Sequence, residues 1–123
     1  MNDNSNLNGL KVLVVEDEML VSMLVEDMLA DLGCDVAASF GEVGPALAWL
    51  SDCGQTIDGA VLDVNLGGQT VFPVADMLMA NGTPFAFLTG YNAVPQARTY
   101  SAPVLSKPVD PGALQSLVAS FAA

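Results

Sequence analysis

The 123-residue sequence contains no histidine and only three basic residues. Without histidine, neither histidine-based catalysis nor histidine-ligated zinc is available. The three bases stand against 14 acidic residues, which gives a formal net charge of -11. Because nucleic acids and acidic lipids are bound through lysine and arginine, neither is an expected partner. A cation, or the basic surface of another protein, suits this charge better.

Cysteine and long hydrophobic runs are also scarce. The two cysteines are Cys34 and Cys53, and two cysteines in a cytoplasmic chain are more often free thiols than a disulfide. Every uninterrupted apolar stretch is far shorter than the roughly 20 residues that a membrane helix needs. The N-terminus lacks the basic start and apolar centre of a signal peptide. We therefore expect a cytoplasmic protein with no membrane span, in which a flexible tail (residues 1–9) precedes one domain (residues 10–123).

Short apolar runs alternate along the chain with stretches of helical periodicity. Five of these runs are predicted strands: residues 11–16, 34–39, 59–64, 84–89 and 103–107. Four helical patterns lie between and after them: residues 19–32, 42–52, 71–82 and 110–121. This alternation predicts an α/β fold, a doubly wound five-stranded parallel sheet with helices on both faces. Residues 90–102 contain a central proline and few apolar residues, so the fourth crossover helix is predicted to be weak or missing.

Polar residues stand where four of the predicted strands end. Glu16 and Asp17 end the first strand, Asp63 the third, Thr89 the fourth and Lys107 the fifth. In an open parallel sheet, ligands bind at the carboxyl ends of the strands. Carboxylate oxygens suit Mg²⁺, which binds through a few acids and keeps several of its waters. The sequence therefore predicts a Mg²⁺ site, where the bound ion offsets the repulsion between the gathered acids.

The same edge carries what a phosphoryl-transfer site needs. A divalent cation, an ammonium and a hydroxyl together can hold a phosphoryl group, and a carboxylate can accept one as an aspartyl phosphate. Asp63 is the predicted nucleophile, because it stands between a buried strand and a predicted loop over residues 65–70. Glu18, the third acid after the first strand, is interpreted as an ordinary acidic residue at a helix start. The methionine stripe of the first helix is interpreted as core or as a helix-bundle surface.

Taken together, Glu16-Asp17, Asp63, Thr89 and Lys107 with its following proline resemble the receiver domain of bacterial two-component response regulators, over nearly the whole chain. The resemblance implies a flavodoxin-like fold and a stand-alone, non-enzymatic switch that accepts a phosphoryl group on Asp63. The implied donor is a sensor histidine kinase or a histidine phosphotransfer protein. The implied output is either phosphorylation-dependent protein binding or drainage of phosphoryl groups from the kinase.

The resemblance also implies how Mg²⁺ is held. Asp17 and Asp63 ligate the ion directly, together with the main-chain carbonyl of Asn65, and Glu16 assists through a water molecule. Two alternatives stay open: a receiver-like interaction module that is never phosphorylated, and a Mg²⁺-dependent aspartyl phosphatase. Such phosphatases usually carry a second acid two residues after the nucleophile, where this chain has Asn65.

The remaining implied roles concern the response to phosphorylation. Lys107 contacts the phosphoryl oxygens, and Thr89 moves to form a hydrogen bond with one of them. Ordinary receivers carry a switch tyrosine or phenylalanine three residues before this lysine, where this chain has Val104. Tyr91 lies two residues beyond Thr89, and we hypothesise that it takes over the part of the missing aromatic.

The stretch "PFAFLTGY" at residues 84–91 gives a finer resemblance. It resembles the "PFxFATGY" signature of the FATGUY subgroup of single-domain receivers, with Leu88 in place of the usual alanine. Members of that subgroup lack the switch aromatic on the fifth strand and have a reduced fourth helix. The resemblance implies pairing with a kinase of the HWE type.

Overall fold

The computed structural model describes residues 7–52, 56–90 and 99–122. The elements of this described part follow one another in the order β1 (Lys11–Val15), α1 (Met19–Asp31), β2 (Asp35–Phe40), α2 (Val43–Ser51), β3 (Gly59–Asp63), β4 (Asn65–Leu66), β5 (Gln69–Thr70), α3 (Phe72–Ala80), β6 (Phe85–Thr89), β7 (Val104–Ser106) and α4 (Pro111–Phe121). Each predicted strand and helix is present, with its ends within two residues of the expected bounds.

Five strands form one sheet in the order β2-β1-β3-β6-β7, and every neighbouring pair is parallel. This order is the flavodoxin-like one and confirms the doubly wound sheet. Successive side chains of a strand point to opposite faces, so β1 contributes to two cores. Leu13 and Val15 pack on the face covered by α2 and α3, whereas Val12 and Val14 pack on the face covered by α1 and α4.

Residues 65–70 differ from their prediction as a loop, because they form an antiparallel hairpin of β4 and β5. The two-residue turn of the hairpin is Gly67-Gly68, with φ of 57° and 96°. Both central residues of such a turn need positive φ, which glycine adopts without steric cost. Leu66 is buried in the core. Through Leu66 the hairpin therefore packs against the core, and it begins two residues after Asp63.

The apolar residues of α1 are divided between the core and the surface. Val25 and Leu29 are fully buried. Four other apolar residues, at 45 to 81 % exposure, form what we call the α1 apolar face: Met19, Leu20, Met23 and Leu24. Of the methionine stripe, interpreted from the sequence as core or as a helix-bundle surface, Met28 packs against the core, whereas Met19 and Met23 lie on the surface. Val25 and Leu29 are four residues apart, so both lie on the side of the helix that faces the core.

Tyr100 packs into an aromatic cluster between α3 and the sheet. Its ring stacks on Phe72 at 5.5 Å and meets Phe87 edge-on at 5.7 Å. Its hydroxyl donates a hydrogen bond to Asp76 Oδ1 at 2.8 Å. Most of the segment predicted to hold a weak fourth helix lies outside the described residues, and its described part beyond residue 98 contains no α-helix.

The described chain begins with Leu7, which is 2 % exposed although it lies in the segment predicted as a tail. Gly9 N–H donates to the Gly33 carbonyl at 2.8 Å, which holds this segment against the end of α1. Cys34 is a free, buried thiol, whereas Cys53 lies outside the described residues. Among the described helices, none combines the length and the hydrophobicity that a membrane span requires.

Candidate functional site

The carboxyl ends of four neighbouring strands meet at one edge of the sheet. The residues that end or follow these strands are Glu16 and Asp17 at β1, Asp63 at β3, Thr89 at β6 and Lys107 at β7. The register of the paired strands sets how these residues align along the edge of the sheet. For example, Lys107 N–H donates to the Thr89 carbonyl at 2.9 Å. They surround a cleft of about 710 Å³ whose wall includes all of them except Glu16.

The ammonium of Lys107 stands among three carboxylates. Lys107 Nζ lies 3.0 Å from Glu16 Oε1, 3.4 Å from Glu18 Oε1 and 3.4 Å from Asp63 Oδ2. The Glu16 and Asp63 side chains are 0 % and 6 % exposed, and that of Glu18 is 65 % exposed. Two of these contacts are therefore shielded from water, and the third is screened by it.

The acids of the cleft repel one another at short range. Burial and the charge of Glu16 raise the pKa of Asp63 from its ordinary value of 3.8 to about 7, and Lys107 opposes the rise without cancelling it. Partial burial lowers the pKa of Lys107, but its hydrogen bond to Glu16 and the charges of Asp63 and Glu16 outweigh that effect, so the net shift is upward. Near neutral pH, Asp63 is thus poised between its protonated and ionised forms.

The same acids fit a divalent cation. Glu16, Asp17 and Asp63 can each offer one carboxylate oxygen, and these three oxygens lie within 4.8 Å of one another. Glu16 Oε1 is buried, and its 3.0 Å contact with Lys107 Nζ is an ion pair that lacks hydrogen-bond geometry. A donor set made of oxygens alone is the chemistry that Mg²⁺ prefers.

The other predicted site residues are distributed as follows. Asn65 lies on the wall of the cleft, and its N–H donates to Asp63 Oδ1 at 3.4 Å. Thr89 is buried at the same wall, 8 % exposed. Val104, at the position of the usual switch aromatic, is 42 % exposed on β7. Tyr91 lies outside the described residues.

Glu18 is the site residue that sequence reasoning missed. It directly precedes α1, but its side chain forms no hydrogen bond that caps the helix. Instead its carboxylate contacts Lys107, and its N–H donates to Glu16 Oε2 at 3.1 Å. Glu16 and Glu18, two residues apart, both contact Lys107 and so face the same side, as alternate residues of an extended chain do. That period of two was the available signal, because Glu16 was already placed in the site.

Similarity to solved structures covers almost the whole chain. The solution structure of SdrG from Sphingomonas melonis Fr1 is 37 % identical over 94 % of this chain and 98 % of that one, with a TM-score of 0.79. The BeF3-activated conformation of SdrG from Pseudomonas melonis Fr1 is 39 % identical over 90 % and 95 %, with a TM-score of 0.72.

The signal receiver domain of a modulated diguanylate cyclase from Desulfovibrio desulfuricans G20 is 26 % identical over 94 % of each chain, with a TM-score of 0.82. No protein-family model and no curated protein matches the sequence.

Proposed function

The chain belongs to the receiver domains of response regulators, and from that premise we propose that it is a Mg²⁺-dependent phosphoryl acceptor that uses Asp63. The observation that carries the proposal is the contact between Asp63 Oδ2 and Lys107 Nζ at 3.4 Å, beside two further acids. A buried carboxylate next to an ammonium is suited to become an acyl phosphate whose new charge the ammonium then faces.

In the proposed reaction, an oxygen of the Asp63 carboxylate forms a bond to phosphorus as the bond from phosphorus to the donor's imidazole nitrogen breaks. The electron pair of the broken bond stays on the imidazole, which takes a proton from solvent. Lys107 and Thr89 stand on the wall of the cleft, where an ammonium and a hydroxyl can contact the transferred oxygens. Asp63 is consumed once per transfer, so we assign the chain as a substrate of phosphotransfer and not as an enzyme.

We assign Mg²⁺ to Glu16, Asp17 and Asp63, with Asn65 at the neighbouring wall as the source of a main-chain oxygen. When bound, the ion supplies positive charge that keeps Asp63 ionised and balances the charge of the phosphoryl group. The three carboxylate oxygens, which lie within 4.8 Å of one another, support this assignment.

The proposed donor is a phosphohistidine on a sensor histidine kinase, of the HWE type, or on a phosphotransfer protein. The α1 apolar face supports a protein donor, because these exposed residues begin one position after Glu18 at the mouth of the cleft. An apolar patch next to a reactive site is typical of a protein-docking surface. We further propose that the chain signals by changing its partners or by draining phosphoryl groups from the kinase.

Phosphotransfer with a labelled donor tests this proposal. Wild type and Asp63→Asn are incubated with Mg²⁺ and either acetyl phosphate or candidate phosphorylated kinases, and the label on each protein is followed. Asp63→Asn should take up no label while it keeps the wild-type circular dichroism spectrum.

The matched control is Asp58→Asn, which changes the acid directly before β3, at the opposite end of that strand from Asp63, and should still be labelled. Label on Asp63→Asn would refute the assignment. Repeated turnover of a small phosphomonoester by the wild type would identify a phosphatase instead. Label that passes onward to a third protein indicates signalling, and label lost only to water indicates a phosphate sink.

A further inference from the structure

Glu18 contacts the same ammonium group that the proposed phosphoryl group needs. Lys107 Nζ is 3.4 Å from Glu18 Oε1 and 3.4 Å from Asp63 Oδ2, so the two carboxylates share one cation. The Lys107 side chain is 16 % exposed and that of Glu18 is 65 % exposed. The ammonium therefore lies between a buried acid on one side and a solvent-facing acid on the other.

A plain role at the helix start does not account for this position of Glu18. An acid at the start of a helix is usually stabilising through the helix dipole or through a side-chain cap. The Glu18 side chain makes no cap, and it reaches across to a residue 89 positions further along the chain. Its contact is with the cleft, and Glu18 itself lies on the cleft wall.

Formal charges show what this contact opposes. Glu16, Asp17, Glu18 and Asp63 carry four negative charges when ionised, and Lys107 carries one positive charge. Any phosphoryl donor that approaches the cleft is itself an anion. Each carboxylate that remains on Lys107 reduces the attraction of the ammonium for the incoming oxygens, because all of them use the same N–H donors.

From these contacts we infer that Glu18 is a positioning residue that draws the Lys107 ammonium toward solvent and opposes the loading of an anionic phosphoryl group at Asp63. The inference rests on the proposed function, and it assigns Glu18 the regulation of that same site. Because the Glu18 carboxylate is exposed, its effect is limited to that of a screened ion pair, at most about fivefold in rate or affinity.

Two measurements at saturating Mg²⁺ test the inference on Glu18→Gln. The first is the rate at which acetyl phosphate labels the protein, and the second is the beryllium fluoride concentration that half-saturates the amide shift of Gly90. We expect labelling to be about threefold faster and half-saturation to occur at about a threefold lower concentration. Both ratios to the wild type should approach one near 1 M salt, where the screening length falls to about 3 Å.

Asp31→Asn is the matched control, since it removes one exposed acid from the far end of the same helix. It changes the net charge equally but should leave both quantities within error of the wild type. If the charge of Glu18 acts on Lys107, Glu18→Lys should change the labelling rate and the beryllium fluoride half-saturation more than Glu18→Gln does. If Glu18 matters only as a helix start, Glu18→Lys should change neither quantity further.

The inference would be overturned if Glu18→Gln gave the same labelling rate and the same beryllium fluoride half-saturation as Asp31→Asn. It would also be overturned if the ratios of Glu18→Gln to the wild type did not change with salt concentration. The proposed function has a separate failure, in which the wild type itself takes up neither label nor beryllium fluoride. The two failures are distinguishable, because the Glu18 inference can fail only when the wild type itself takes up label and beryllium fluoride.

Discussion

Glu16 and Lys107 form an ion pair at 3.0 Å, in which the Glu16 side chain has no exposure to solvent. Asp63 lies beside the same ammonium, with its Oδ2 at 3.4 Å from Lys107 Nζ. The pKa of Asp63 nevertheless rises to about 7, because burial and then the charge of Glu16 together outweigh the opposing charge of Lys107.

The raised pKa predicts how stability depends on pH in the absence of divalent cations. Between its ordinary value of 3.8 and about 7, Asp63 binds a proton in the folded state that it has lost in the unfolded state. The free energy of unfolding should therefore fall as pH rises through this window and level off above it. Asp63→Asn should remove this part of the fall.

Urea denaturation in chelator at a series of pH values measures this difference between wild type and Asp63→Asn. Asp58→Asn serves as the control, since it also replaces an aspartate by asparagine, at the position directly before β3. A wild type and an Asp63→Asn variant with parallel pH profiles would show that Asp63 titrates as an ordinary aspartate.

Mg²⁺ should raise the melting temperature of the wild type, because a ligand that binds only the folded state stabilises it by mass action. At about 100 times the dissociation constant, the gain is about 2.7 kcal/mol. Asp17→Ala should lose this response, and without metal it should be at least as stable as wild type because repulsion is relieved. Differential scanning calorimetry measures both effects, with Asp27→Ala, an exposed acid of α1, as control. An equal rise in Asp17→Ala would place the ion elsewhere.

Much of the fold and the site could be predicted because both follow from burial. The strands β1 and β3 are covered on both faces, so their sequences are continuous aliphatic runs that are easily recognised. Parallel strands bring their carboxyl ends to one edge, so Asp63 and Lys107 could be placed together without knowledge of any contact.

Other features depend on geometry that residue patterns do not carry. Apolar residues occur almost all around α1, so periodicity could not tell Leu20, which is exposed, from Leu29, which is buried. The strands β4 and β5 have two residues each, too few to show alternation. Glu18 meets a lysine 89 positions away, and that meeting depends on the fold as a whole. The hypothesis on Tyr91 stays a prediction.

The α1 apolar face should be needed for transfer from a protein donor but not from a small one. Met23→Asp should slow phosphotransfer from the cognate phosphorylated kinase by about tenfold, the effect of about 1.4 kcal/mol lost at an interface. Labelling by acetyl phosphate should be unchanged, since that donor needs no docking surface.

Met79→Asp is the matched control, because Met79 on α3 and Met23 are both 53 % exposed. Equal slowing by both substitutions, or none by Met23→Asp, would mean that the donor docks on another surface.

Tyr100 should stabilise the packing of α3 on the sheet. Tyr100→Phe removes the hydrogen bond to Asp76 and keeps the stacked ring, so the free energy of unfolding should fall by about 1 kcal/mol. Tyr100→Ala also removes the ring from Phe72 and Phe87, and should cost about 3 kcal/mol.

Urea denaturation of Tyr100→Phe, Asp76→Ala and the double variant measures the coupling between the two side chains. If the effects of the two single substitutions simply add, the 2.8 Å contact contributes no stability.

The position of Lys107 directly after the last strand, β7, has a consequence during synthesis of the protein. A ribosome releases the chain from its N-terminus, so Glu16, Asp17 and Asp63 emerge well before the lysine that pairs with two of them. Until β7 joins β6, a nascent sheet holds its acids together without their counter-ion, and it also lacks α4, which covers one of its two cores. The acids of the nascent chain therefore repel one another before Lys107 can join them, which favours completion of the domain only after its final elements have left the ribosome.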